Sequence, residues 1–85
     1  MATGSPVEAG DEYVLISSAD SVVTTNISNY IAEVVYSDSA PANSSVKGIP
    51  LAVGDSLTKL DGFPDGNVYA KSLQAGRTCS LLASE

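Results

Sequence analysis

Residues 61–67, Asp-Gly-Phe-Pro-Asp-Gly-Asn, have the residue types of a cation-binding loop, with two carboxylates from Asp61 and Asp65. A calcium loop of the EF-hand type needs oxygen ligands at alternating positions and a bidentate glutamate at the twelfth. Phe63 stands between the two aspartates and Ser72 stands at the twelfth position, so this spacing fails. Asp-Gly and Pro-Asp-Gly are turn-forming sequences. We therefore predict a turn with no metal and no cofactor, and we expect Phe63, the only phenylalanine, to close one end of the core.

The residues offer little for nucleophilic catalysis. The chain has serines but no histidine that could activate one. Cys79 is the only cysteine, so it can form neither an intrachain disulfide nor a zinc site. A thiol in a strand, on an inward-facing phase and without a neighbouring base, is expected to be structural. We predict that the protein is not an enzyme.

Charge and hydropathy exclude further classes. The 85 residues carry a net charge of −6, and the four cations, Lys47, Lys59, Lys71 and Arg77, are scattered along the sequence. A nucleic-acid binder needs a positive footprint, and an anionic membrane also attracts basic segments. No apolar run approaches the 18 residues of a membrane-spanning helix. The first 13 residues lack the basic and apolar regions of a signal peptide, so we expect synthesis in the cytoplasm.

The pattern from Tyr13 onward is typical of short β-strands. Val, Ile, Thr and Tyr are frequent, turn clusters recur at about eight to twelve residues, and no helical period is sustained. We predict an all-β fold: a small antiparallel β-sandwich, or partly open barrel, of about seven strands in residues 12–85. Residues 1–11 contain two glycines and a proline and are predicted to be an extended N-terminal arm. The predicted strands lie in EYVLIS, VVTTNI, NYIAEVVYS, GIPLAVGDSLTKL (two strands), GNVYAKSL and RTCSLLASE.

Side-chain alternation suggests which residues face outward. In NYIAEVVYS the alternation places Glu33 outward, because a buried unpaired carboxylate is costly, and Ile31 and Val35 flank it. In the last strand Leu82 faces outward between polar residues. Such outward apolar residues either mark a contact surface or are scattered surface hydrophobes. The inward positions are Tyr30, Ala32, Val34 and Tyr36 in the former strand and Cys79, Leu81 and Ala83 in the latter.

The small size of the domain favours association. A chain of this length buries only about 60% of its unfolded surface, so apolar burial barely offsets the loss of conformational entropy. With disulfides and zinc excluded, a homo-oligomer or docking on a larger surface remains. We expect the arm, with Pro6 and Val7, to anchor the domain to a neighbour; the alternative is an arm that folds along its own domain. The predicted interface residues are Pro6, Val7, Ile31, Val35 and Leu82.

The order of motifs over residues 13–85 resembles that of small β-sandwich virion proteins of tailed bacteriophages. A turn, a strand with an Asn-rich kink and a strand into Ser-Ala-Pro occur in SSADSVVTTNISNYIAEVVYSDSAP. A Gly-Asp turn in LAVGDSL, a variable loop, NVYAKS, a small-residue hairpin and the acidic ending CSLLASE follow. RTCSLL departs from the usual Thr/Val alternation, and the arm is not part of the pattern.

This resemblance implies a non-enzymatic virion component. A capsid decoration, cement or head-fibre protein is the first expectation, located on the capsid surface and bound to the major capsid protein or another virion protein. The alternative is a tail, baseplate or adhesion module that binds a host carbohydrate or protein.

Overall fold

The computed structural model describes residues 6–39, 48–63, 65–74 and 76–84, and these residues form an all-β sandwich. The predicted fold class is confirmed. Two antiparallel four-stranded sheets pack against each other, and the strand order is β1-β8-β3-β6 in sheet A and β2-β7-β4-β5 in sheet B. The eight strands are β1 (Val7–Ala9), β2 (Val14–Ser17), β3 (Val22–Asn26), β4 (Ala32–Ser37), β5 (Ile49–Leu51), β6 (Ser56–Lys59), β7 (Asn67–Ser72) and β8 (Cys79–Ser84). No described helix is long and apolar enough to cross a membrane.

The connections join the two sheets into one unit. Every connection except β4–β5 passes from one sheet to the other. Consecutive strands therefore seldom pair, and most strand partners are distant in sequence, as for β1 and β8. The two sheets are therefore interleaved along the sequence and form one domain.

Small aliphatic side chains fill the space between the sheets. Of the inward positions predicted for the fourth and eighth strands, Ala32, Val34, Cys79 and Leu81 are buried as expected, and Ala83 is partly buried against them. Alanine and valine dominate, and Tyr30 and Tyr36 pack partly buried against the edge of the core. The buried core consists of Ala9, Ile16, Val22, Ala32, Val34, Leu51, Val68, Ala70, Cys79 and Leu81.

The N-terminal residues correct the predicted boundary between arm and domain. Val7–Ala9 form an antiparallel edge strand on β8, with Ala9 opposite Cys79. Ala9 is fully buried and Val7 packs against the core, so the sandwich begins at Val7 rather than at residue 12. The physical reason is that β8 would otherwise expose its backbone groups and part of the core. This is the alternative of an arm that folds along its own domain; residues 1–5 lie outside the described residues.

Candidate interaction surfaces

The sequence around Asp61 forms a two-residue β-hairpin turn, as predicted for the DGFPDGN segment. Leu60 and Phe63 exchange both backbone hydrogen bonds, at 2.9 and 3.0 Å. Asp61 and Gly62 have φ angles of 51° and 77°. Positive φ at both central residues is the signature of a type I′ turn, which Asp-Gly favours because glycine has no Cβ and aspartate tolerates this region. Pro64 lies outside the described residues.

Additional hydrogen bonds fix this hairpin to the body of the sandwich. Gly62 N–H donates to the Asp20 carbonyl at 2.7 Å, and Asp61 N–H donates to the Ser21 hydroxyl at 3.0 Å. The buried Lys59 ammonium donates to the Gly66 carbonyl in the following loop. The hairpin is therefore held at its base and at its tip. Over the described ranges, Asp61 and Asp65 belong to no group of three or more His, Cys, Asp and Glu side chains placed to share a metal.

Phe63 does not close the core, so this prediction is wrong. Its side chain is 76% exposed, and that of Leu60 is 63% exposed. Directly opposed residues of an antiparallel pair project from the same face, so the two side chains form one apolar pair. The tight turn extends this pair beyond the end of β6, where the other sheet cannot cover it. We call Leu60 and Phe63 the hairpin knob.

A pocket of about 110 Å³ lies beside the hairpin knob. Its lining includes Val22 and Val23 of β3, Ser84 at the end of β8, and Leu60 itself. The surface of the pocket is mostly apolar, although Ser21, Thr58 and Lys59 also contribute to the lining. An exposed apolar pair and an apolar pocket thus occupy the same end of sheet A.

The outer face of sheet B has a different character, because a mostly buried ion pair lies on it. Glu33 on β4 is opposite Lys71 on β7, and their charged atoms are 3.5 Å apart. Glu33 also accepts a hydrogen bond from Gly48 N–H at 2.8 Å, and the Lys71 nitrogen lies 5.3 Å from the centre of the Tyr13 ring. Glu33 faces outward, as predicted, but it is only 8% exposed. The carboxylate can be this little exposed because Lys71 and the Gly48 N–H stabilise its charge.

The same arrangement shifts tyrosine ionisation. Burial raises the pKa of Tyr13 above its ordinary value, and the negative charge of Glu33 and a hydrogen bond with it raise this pKa further. A backbone hydrogen bond with Gly48 acts in the opposite direction. Burial alone raises the pKa of Tyr36. Both phenols therefore stay neutral to higher pH in the folded protein than in an unfolded chain.

Asn26 is the polar residue that ties the two sheets together. Its side chain is fully buried at the end of β3 and donates to the carbonyls of Tyr30 and Leu51, at 2.8 and 2.9 Å. Its amide oxygen accepts from the backbone N–H and the hydroxyl of Ser28, at 3.0 and 2.6 Å. Every hydrogen-bonding position of the amide is used. The β3–β4 connection and β5 of sheet B are thus joined to β3 of sheet A.

Cys79 has the surroundings of a structural thiol, as expected. The residue is fully buried and its thiol is free. The sulfur lies 3.4 Å from the Tyr30 carbonyl and 3.6 Å from the Ile31 carbonyl, distances at which a thiol donates a weak hydrogen bond. No described basic side chain forms an ion pair or hydrogen bond with it. The thiol thus adds weak hydrogen bonds to the β3–β4 connection, which the Asn26 side chain also holds.

The structure does not bring the five predicted interface residues together. Pro6 is exposed beside edge strand β1, whereas Val7 packs against the core. Ile31 is exposed at the end of sheet B and accepts a backbone hydrogen bond from Leu73, another exposed aliphatic residue. Val35, opposite Tyr69, is half-buried on the outer face of sheet B. Leu82, opposite Thr25, is half-buried on the outer face of sheet A. The set is therefore divided between an edge, an end and two opposite faces.

The hairpin knob and the pocket beside it are the features that sequence reasoning missed. A signal for the knob is present in the sequence Leu-Asp-Gly-Phe: Asp-Gly between two apolar residues is a strong hairpin signature, and it places those residues opposite each other at the tip. The pocket has no local signal, since its lining comes from three strands of sheet A.

The geometry defines the class of protein as a two-sheet antiparallel β-sandwich. Comparison with protein-family models, with curated proteins and with solved structures finds no match for this chain.

Proposed function

We propose that this protein is a non-enzymatic structural component of a bacteriophage particle, a capsid decoration, cement or head-fibre protein that binds the assembled shell and associates with its own copies. The resemblance of residues 13–85 to small β-sandwich virion proteins motivates the proposal. Its partner is the major capsid protein or another virion protein, and its location is the capsid surface.

The observation that carries the non-enzymatic part is how the reactive side chains are used. Glu33 neutralises Lys71 and accepts from Gly48, and Lys59 donates to a backbone carbonyl. Cys79 is buried against two carbonyls. These groups hold the sandwich together, while the outer face of sheet A presents apolar and hydroxyl side chains that are suited to protein contacts.

The alternative is a tail, baseplate or adhesion module, and one observation favours it. The exposed Phe63 ring stands on a fixed hairpin, and aromatic rings of this kind can stack on a sugar. The two candidates place the protein in different layers of a particle.

The test is to purify the phage particles whose genome encodes this chain, and to quantify the protein in them by mass spectrometry. The proposal expects a fixed stoichiometry with the major capsid protein and, by electron microscopy, sandwich density on the outer shell. Density confined to the tail would replace it with the alternative. Complete absence from purified particles would refute both.

A further inference from the structure

The four edges of the described sheets are protected against strand addition. Strand β1 has only three residues and exposes Glu8, and β5 contains Pro50. Strand β2 has an irregular register between Leu15 and Ser17, and β6 turns the charged Lys59 inward. Short strands, prolines, bulges and inward-pointing charges are the features by which sheet edges avoid pairing with other chains. Association of this protein by strand addition is therefore disfavoured, which leaves the faces and the ends of the sandwich.

The negative charge lies mainly away from the faces. Of the nine acidic residues in the described ranges, only Glu8 and Glu33 belong to strands, and Glu33 is paired with Lys71. The others lie in the connections. Two copies of a chain with net charge −6 repel each other least where their meeting surfaces carry no charge.

The outer face of sheet A meets this condition. Its three strands β8, β3 and β6 carry only hydroxyl and aliphatic side chains on the outside, and one hydroxyl pair, Thr25 and Ser56, lies at 2.8 Å across two strands. The only outward charge on the strands of this sheet is Glu8, on the far edge strand β1. The neutral face comprises Val23, Thr25, Ser56, Thr58, Ser80, Leu82 and Ser84.

We propose that two copies of this chain pack the neutral faces of sheet A against each other with two-fold symmetry, each placing Phe63 in the pocket of the other. A two-fold interface uses the same patch on both copies, so a knob and a pocket on one patch can be exchanged reciprocally. A closed apolar cavity of about 150 Å³ accommodates a benzene molecule. The pocket beside the hairpin knob, at about 110 Å³ and open to solvent, can therefore take most of a phenyl ring. The fixed hairpin loses little conformational freedom when it binds.

The size of the face makes this a weak dimer. The three strands of the neutral face, at ~4.8 Å spacing and with about five residues each at ~3.3 Å rise, cover roughly 240 Å². A standard stable interface buries ~800 Å² on each partner, so this contact belongs with weak, transient interfaces. Such a contact matters where copies are concentrated on a common surface. The inference thus rests on the proposed function, since it describes the self-association of a protein that coats a shell.

Analytical ultracentrifugation of the full chain, at concentrations up to about 1 mM, tests the dimer. We expect reversible dimerisation that weakens at least tenfold in Phe63→Ser and is abolished in Thr58→Glu, which adds a carboxylate to the pocket lining where the partner's Asp61 and Asp65 approach. The matched control is Leu15→Ser, which removes a 48% exposed side chain from the outer face of sheet B and should leave the dimer unchanged. All three altered positions are exposed, so the thermal midpoints of the variants should stay close to that of the parent.

Ionic strength provides a second readout. Asp61 and Asp65 are exposed beside the knob on both copies, so added salt screens their repulsion and should strengthen the dimer. A monomer at every concentration would overturn the proposal, and so would a dimer that weakens in Leu15→Ser but not in Phe63→Ser. A dimer that weakens when salt is added would also overturn the proposal, because salt weakens contacts between opposite charges.

The failure of this inference can be told apart from the failure of the proposed function. If Phe63→Ser and the parent are both monomeric yet occupy particles equally, the self-contact is wrong and the virion role stands. If the dimer behaves as expected but the protein is absent from particles, the face-to-face contact stands and the virion role fails.

Discussion

Replacing Asn26 by alanine should destabilise the sandwich more than its small size suggests. The substitution removes the donor to the Leu51 carbonyl in sheet B and the acceptor for Ser28 N–H in the β3–β4 connection. The Tyr30 carbonyl keeps two weaker donors, the Ser28 hydroxyl at 3.1 Å and the Cys79 thiol at 3.4 Å. Two backbone groups therefore lose this partner, the Leu51 carbonyl at a buried position and the Ser28 N–H at a partly buried one.

The magnitude follows from those two groups. Leaving a buried donor or acceptor unsatisfied costs about 1–3 kcal/mol, so Asn26→Ala should lower the free energy of unfolding by about 4 kcal/mol. For a domain of this length each kcal/mol corresponds to roughly 4–8 °C in the thermal midpoint, which gives a decrease of at least about 16 °C. This is a large part of the ~5–15 kcal/mol that stabilises a typical domain.

The assay is urea unfolding at 25 °C, followed by far-UV circular dichroism on the parent and two variants. Asn29→Ala is the matched control, because Asn29 is the same residue type in the same connection but is exposed; it should change stability by no more than about 0.5 kcal/mol. The dependence on urea should keep the same slope. A loss below about 1 kcal/mol for Asn26→Ala, or one equal to that of Asn29→Ala, would refute the role assigned to this amide.

Two further predictions concern the outer face of sheet B. The raised pKa of Tyr13 means that its neutral phenol stabilises the fold fully below about pH 10, the unfolded value, and that this contribution is lost as pH rises through the folded pKa. Chemical unfolding between pH 9 and about 12 should therefore show a shallower loss of stability in Tyr13→Phe than in the parent, and equal slopes would contradict the assignment. Lys71→Met should lower the free energy of unfolding by about 2–3 kcal/mol, because it leaves the Glu33 carboxylate unpaired in a site with 10% side-chain exposure. Combining it with Glu33→Gln should lose at least about 1 kcal/mol less than the sum of the single changes, and strict additivity in this double-mutant cycle would rule out the pairing.

The features that the sequence predicts well are those with local signals. Alternation between polar and apolar residues placed Val34 and Leu81 in the core, since successive side chains of a strand point to opposite faces. Turn chemistry located the Asp61–Gly62 hairpin, since few residues other than glycine adopt its backbone angles easily. Both signals act within a few residues, so neither depends on the rest of the fold.

The features that the sequence does not predict depend on distant partners. Strand β1 has three residues and no period of its own, and it exists because β8, about seventy residues further along, needs an edge partner. The burial of Glu33 could not be inferred before Lys71 was known to lie opposite it. Phe63 was misassigned because its hydrophobicity suggested a core position, whereas the direction of the hairpin carries it beyond both sheets.

The distribution of charge restricts how copies of this protein can approach one another. Acidic side chains occupy the connections at the two ends of the sandwich, as with Asp55 at one end and Asp61 at the other. End-to-end contact between copies therefore brings like charges together, and edge-to-edge contact meets prolines, a bulge and an inward lysine. The outer face of sheet B holds a paired charge that is already satisfied by its own chain. The neutral face of sheet A remains as the surface where two acidic copies can meet without desolvating a charge, and the hairpin knob lies at its border, where an apolar anchor contributes most to a small contact.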